Sequence, residues 1–189
     1  MITDEAMSWP VENHEVKATG AISNFVNDQV RTPDGELIER QYLSHPGAVA
    51  IVAWDEEADA VCVIRQYRHP VSMQLVEIPA GLHDADGETW LDAAGRELAE
   101  EVGLAASHWQ VLVDVCTTPG ASEESLRIYL ARGLATTPRP DGFVLADEEA
   151  QMTSAFVPRK EVVDAALAGR VQSPTLVAGI LALETARLS

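Results

Sequence analysis

Positive charge is what this sequence has least of. Thirteen Lys and Arg stand against 30 Asp and Glu, a formal net charge of -17 over 189 residues. A surface that binds nucleic acid or an anionic membrane needs a basic patch, so this composition excludes both classes for the chain by itself. An anionic substrate would need a counter-charge, and a divalent cation is the direct source of one. Cysteine is nearly absent, with only Cys62 and Cys116, each inside an apolar run and neither at a metal-type spacing. Both read as buried, reduced thiols. No apolar run is long enough to span a bilayer, and the best one, "TLVAGILALETARL", carries Glu184 and Arg187. The acidic opening "MITDEAMSWPVENHEV" lacks a basic region followed by an apolar run. Repeats and low-complexity tracts are missing too, so a cytoplasmic protein with one main domain is expected.

What is present alternates in period. "ELIERQYLSH" alternates apolar and polar, "AVAIVAW" is a buried-type run, and "AVCVIRQY" follows the turn-rich "DEEADA". Further on, "WQVLVDVC", "LRIYLARGL" and "MTSAFVP" are three more strand candidates. The tail changes to helical spacing in "PRKEVVDAALAG", closed by Gly169, and in "SPTLVAGILALETARL", opened by Ser173 with Pro174 at the first helical position. The expected fold is α/β (α+β), with a mixed central sheet.

One stretch, "PAGLHDADGETWLDAAGRELAEEVGL", crowds carboxylates into a helical pattern. At about 100° per residue, Leu91, Ala94, Leu98 and Val102 fall in one narrow arc able to dock on a sheet. Glu97, Glu100 and Glu101 fall in the neighbouring arc. Gly103 ends the helix, and Gly95 inside it costs ~1 kcal/mol relative to alanine, which a close backbone approach would explain. Like charges so placed repel one another, and Arg96 is the lone base beside them. Solvation accounts for many acidic helix faces, but three carboxylates together suit Mg²⁺ or Mn²⁺, hard ions that prefer carboxylate oxygens and bridge phosphates.

At these residues the sequence closely resembles the Nudix box. "RELAEEVGL", with Glu88 and Gly81 before it, supplies every fixed position, and the first spacer, Leu82 to Gly87, holds six residues where the pattern has five. "VCVIRQYRHPV", "LVEIPAGL" and "TTPGASEESLRIYLARGL" look like the ADP-ribose pyrophosphatase branch of the Nudix hydrolases, particularly its actinobacterial members. In that branch a proline about fifteen residues past the box is a marker, and Pro119 follows Leu104 by fifteen. The resemblance implies a Nudix α/β/α sandwich over residues 46–189. It also implies an N-terminal β extension over residues 1–45, open to exchange between the subunits of a homodimer.

The same resemblance implies the roles. Glu97, Glu100 and Glu101 would be metal ligands, joined by the backbone carbonyl of Ala80, with Mg²⁺ as cofactor and Mn²⁺ as an alternative. Arg96 and Glu88 would hold each other, and Gly81 and Gly103 would be structural parts of the motif. Deprotonation of the attacking water falls to a distant acidic loop, "LADEEAQM", with Glu148 or Glu149 as base; Glu101 joins them as a catalytic candidate. Arg65 and Arg68 are candidates for the diphosphate or terminal ribose, Arg68 the stronger, and Pro119 is placed with the substrate-binding set. Glu77 would accept ribose hydroxyls or pair with Arg68. Trp9, Tyr67 and Phe25 are the adenine-stacking candidates, though isolated aromatics are more often packing residues. His14, His45, His69, His83 and His108 show no ligand spacing.

The implied activity is hydrolysis of ADP-ribose to AMP and ribose 5-phosphate. A nucleotide sugar, a dinucleotide or an oxidised nucleotide is the alternative substrate. A non-catalytic ADP-ribose-binding module is the reading from another class, and it is disfavoured because such modules commonly lose box glutamates.

Overall fold

A computed structural model of the protein describes residues 2–140 and 150–188. The chain forms two compact units, Met1–Pro46 with Cys116–Glu124, and Gly47–Val115 with Ser125–Ser189.

The first unit is a three-stranded antiparallel meander of β1 (Val11–Thr19), β2 (Asn24–Arg31) and β3 (Leu37–Ser44). The β2–β3 turn uses Gly35 at φ 86, a left-handed conformation open to glycine without strain. The Cys116–Glu124 segment attaches to β3 through Leu43, whose N–H donates to the Ala121 carbonyl and whose carbonyl accepts from Glu123 N–H. Every residue of β1 is exposed.

The second unit is built on a mixed sheet. Its strands are β4 (Ala48–Asp55), β5 (Ala60–Arg68), β6 (Met73–Glu77), β7 (Ala80–Leu82), β8 (Leu104–Cys116), β9 (Ser125–Thr136) and β10 (Thr153–Pro158). The main path runs β10-β5-β4-β9-β8, with β6 paired to β5 and β7 to β4. Strands β4 and β9 pair in parallel, whereas β4–β5, β4–β7, β5–β6 and β5–β10 are antiparallel. Strand β4 lies between neighbours and buries residues on both faces, which is why it reads as continuous apolar sequence. Its even positions Ala48, Ala50 and Val52 pack on one side with α2 (Arg159–Leu167) and α3 (Pro174–Leu188). Its odd positions Val49, Ile51 and Ala53 pack on the other with α1 (Trp90–Val102). Period-two alternation thus produces the expected α/β/α layering within this unit.

Helix α3 starts as its sequence predicts. The Ser173 carbonyl accepts from Val177 N–H, and its hydroxyl bonds that of Thr175 at 2.9 Å. Helix α2 is followed by Gly169 at φ 67, the left-handed residue that turns the chain away.

Three expectations need correction. Cys62 is buried, but Cys116 is exposed, as the last residue of β8, the strand that ends the sheet path. Leu91 does not dock α1 on the sheet; it is 42% exposed, while Ala93, Ala94 and Leu98 are fully buried. The helix is turned so that its inward face lies closer to the carboxylates than apolar spacing alone indicates. Gly95 has open space where its Cβ would be, so no close backbone approach among the described residues explains it.

Candidate active site

Helix α1 begins with a capping box that apolar spacing did not reveal. Asp92 N–H donates to Thr89 Oγ1 at 3.2 Å and Thr89 N–H donates to Asp92 Oδ2 at 3.3 Å. It ends at Gly103, φ 64, whose N–H returns to the Ala99 carbonyl. The caps fix its ends, and packing of Ala93, Ala94 and Leu98 on the sheet sets its azimuth.

Arg96 is the hub of the carboxylate face. Its Nε and Nη2 donate to the two oxygens of Glu88 at 2.9 and 3.1 Å, a bidentate pair that ties helix to preceding loop. Nη2 also donates to the Leu82 carbonyl at 3.0 Å, and Nη1 reaches Glu97 at 2.6 Å and Glu100 at 3.1 Å. Of the three glutamates whose repulsion the sequence posed, Glu97 and Glu100 are therefore relieved by one guanidinium, which they share with Glu88. The Glu88 hydrogen bonds, helped by the nearby charge of Glu97, hold Arg96 protonated even more firmly than usual despite its partial burial.

The six-residue spacer leaves this arrangement intact. Its turn uses Gly87 at φ 76, His83 stacks on Trp90 with ring centroids 4.4 Å apart, and the His83 imidazole shares a 2.9 Å hydrogen bond with the Glu88 carbonyl. The extra residue is taken up in the loop, and Glu88 still reaches Arg96.

Glu101 lies on the inward side of α1. It is 5% exposed and accepts from Ala80 N–H at 3.0 Å. Ala80 thus meets this carboxylate through its amide, on a strand held in register by pairing with Ala50. Burial, reinforced by the charge of Glu101, pushes the Cys62 thiol up to about 12, so Cys62 is a packing residue and not a nucleophile. Gly81 is set against Glu97: a Cβ there would come within 2.0 Å of the carboxylate carbon. The Glu97 carboxylate fills the space a side chain at Gly81 would take, so any larger residue there must displace it.

Strand parity decides which of the other candidates join this face. Cys62, Ile64, Gln66 and Arg68 alternate to the α1 side of β5, and Glu77 is the partner of Ile64 in the β5–β6 register. Arg68 grips Glu77 through two bonds of 2.9 and 2.7 Å, with Glu77 only 4% exposed. Arg65 alternates to the opposite side with Val63 and is not brought to the carboxylates. Tyr67 is exposed, its hydroxyl 3.0 Å from His69 Nδ1; Trp9 and Phe25 belong to the first unit and are exposed. Pro119 lies in the Cys116–Glu124 segment of that unit. Glu148 and Glu149 lie outside the described residues.

One participant was missed from sequence. Arg139 donates to the carbonyls of Glu100 and Glu101 at 2.8 and 3.0 Å, placing a cation on the C-terminal turn of α1, where the helix dipole favours it. A basic residue between the prolines of "PRP", in so acidic a chain, was the available signal.

Among the described residues, no three histidine, cysteine, aspartate or glutamate side chains form a ready cation cage. Glu97 and Glu100 face Arg96, and Glu101 faces the Ala80 amide. The donor chemistry nevertheless fits a hard divalent ion: three carboxylates on one helix face, with Gly81 leaving room for the nearest.

Carboxylates are thus gathered around a single guanidinium on one helix packed against the mixed sheet. The chain belongs to the Nudix family, the NUDIX domain model matching residues 44–177. It is 46% identical over 169 residues to the ADP-ribose pyrophosphatase of Mycobacterium tuberculosis, covering 89% of this chain and 80% of that protein. It is 33% identical over 117 residues to the ADP-ribose pyrophosphatase of Bacillus subtilis, covering 62% of each. A crystal structure of an ADP compounds hydrolase superposes with a TM-score of 0.76 at 21% identity, covering 97% of this chain and 96% of that one, a likeness of fold.

Proposed function

We propose that this Nudix hydrolase cleaves the diphosphate of ADP-ribose to AMP and ribose 5-phosphate with Mg²⁺, or Mn²⁺ in its place. The observation that carries the reading is the Arg96 hub, which gathers Glu88, Glu97 and Glu100 on the helix that also carries Glu101. The substrate rests on the likeness to two ADP-ribose pyrophosphatases.

Glu97, Glu100 and Glu101, with the backbone at Ala80, would hold the ion. When bound it would supply positive charge to the phosphoryl oxygens and make a water more acidic. The chain's own residues do the rest. Arg96 and Glu88 keep helix and loop in one register, so the carboxylates keep their spacing. Gly81 lets Glu97 sit close against β7. The Arg68–Glu77 pair presents a guanidinium for a phosphate and an acceptor for a ribose hydroxyl, each oriented by the other. Glu148 or Glu149 is the proposed base that takes the proton from the attacking water. A homodimer is proposed as the working form, supported by the exposed Val11, Val16, Phe25, Leu37 and Leu43 of the first unit, and the cytoplasm as its location.

Purified protein is incubated with ADP-ribose and Mg²⁺ and the products are separated by ion-exchange chromatography. AMP and ribose 5-phosphate in equal amounts are expected. Cleavage of a nucleotide sugar, dinucleotide or oxidised nucleotide with ADP-ribose left intact would replace the substrate. Calorimetric binding of ADP-ribose without turnover of any of these would make the chain a binding module.

A further inference from the structure

On the side of the sheet away from α1 there is a cavity of roughly 340 Å³, within the usual size range of small-molecule sites. Its walls come from β5, β6, β10 and α2, all in the second unit. Val63, Val76, Val157 and Val162 make much of its lining apolar, and two guanidinium groups, Arg65 and Arg170, border it. Both arginines are placed by backbone geometry. Arg65 is in register with Thr153 across the β5–β10 ladder, and Arg170 follows the left-handed Gly169, with its N–H bonded to the Ala165 carbonyl.

Their lack of partners sets these arginines apart. Arg31, Arg68, Arg96, Arg127 and Arg159 are each bonded to a carboxylate. Among the described residues the Arg65 and Arg170 side chains have no ion pair or hydrogen bond, although Glu161 lines the same cavity. In a chain of net charge -17, carboxylates are the commonest available partners. Both residues are exposed, so these two guanidiniums beside an apolar cleft, with no carboxylate partner among the described residues, are open to an anion from outside. Glu161 limits the local excess to one positive charge, which matches a single anionic head and disfavours a diphosphate.

We infer that this cavity is a second ligand site, distinct from the carboxylate face, which takes a small organic molecule with one anionic head on an apolar body. Arg65 and Arg170 hold the head, the valines cover the body, and Glu161 accepts from any hydroxyl or amine beside the head.

The test is calorimetric titration of the full chain, in EDTA, with phenyl phosphate, 3-phenylpropionate and inorganic phosphate. Saturable one-to-one binding of either aromatic probe is expected, with inorganic phosphate far weaker. The probe that saturates names the head. Arg170→Ala should weaken binding about tenfold or more. Ala165→Leu, which fills the cavity without removing charge, should do the same, with both variants melting like the parent. Glu101→Gln should leave binding unchanged. No saturation with either aromatic probe would overturn the inference, as would binding lost in Glu101→Gln but kept in Arg170→Ala. Inorganic phosphate binding as tightly as phenyl phosphate would overturn the apolar half. The ADP-ribose assay is independent of all these outcomes.

Discussion

Replacing Gly81 by alanine adds one methyl group, and its effect can be followed atom by atom. The new Cβ would lie 2.0 Å from Glu97 Cδ, 2.2 Å from Oε1 and 2.3 Å from Oε2. Non-bonded carbon atoms rest at about 3.5–4.0 Å, so the carboxylate must retreat by roughly 1.5 Å. Its 2.6 Å bond from Arg96 cannot survive such a move. A hydrogen bond to a charged group contributes about 1.5–3 kcal/mol, and re-solvation of the displaced Glu97 offsets part of that. The expected destabilisation is about 1–2 kcal/mol, and urea unfolding measures it directly. Turnover should fall more steeply, because misplacement by about 1 Å at a catalytic group costs on the order of a hundredfold. Mn²⁺ affinity, followed by electron paramagnetic resonance, should weaken in parallel. A Gly81→Ala protein with parental stability, Mn²⁺ affinity and turnover would refute the reasoning, since Glu97 could then leave its place without consequence.

Glu101→Gln keeps an oxygen to accept the Ala80 amide and removes a buried charge, so turnover should fall about a hundredfold or more while the melting temperature holds; a collapsed melting temperature with parental specific activity would contradict this. Acid stability should depend on Asp59, whose carboxyl is held below the ordinary aspartate value first by its hydrogen bonds from Arg159 and then by Trp54. A depressed folded-state pKa means that the stabilisation is complete above the unfolded aspartate value and is lost as pH falls through the lowered one. The gap in melting temperature between parent and Asp59→Asn should therefore be full near neutral pH and close below about pH 4; a gap that widens in acid would be the wrong sign. Asparagine tolerates the left-handed backbone of Asp59, φ 47, so strain should not confuse the comparison. A thiol reagent should label Cys116 in the native protein and reach Cys62 only after denaturation, as peptide mapping will show, because Cys62 is 2% exposed with its thiol pushed up to about 12.

Local patterns were enough to read much of this protein from its sequence. The apolar run of β4, the helical spacing of α1, the Gly103 terminator and the Glu88–Arg96 pairing depend on residues near one another in the chain or on a motif whose spacing is its meaning. Period two and period 3.6 are properties of the backbone, so they show in the order of residues. What tertiary structure decided concerns rotation, parity and contacts across long separations. Apolar spacing placed Leu91 inward, yet packing of Ala93, Ala94 and Leu98 on the sheet turned Glu101 in and left Leu91 out. Arg65 and Arg68 look equivalent in "IRQYR", but a separation of three residues on a strand sends them to opposite faces. Cys116 ends an edge strand, and no residue beside it in sequence announces that an edge is there. Arg139 reaches the last turn of α1 across 38 positions, and the Cys116–Glu124 segment joins β3 from far along the chain. Sequence determined which residues could form each element and which chemistry they carried. Only packing of those elements decided which carboxylate turns inward and which of two nearby arginines grips Glu77, because that choice limits unpaired buried charge and void over the whole core at once.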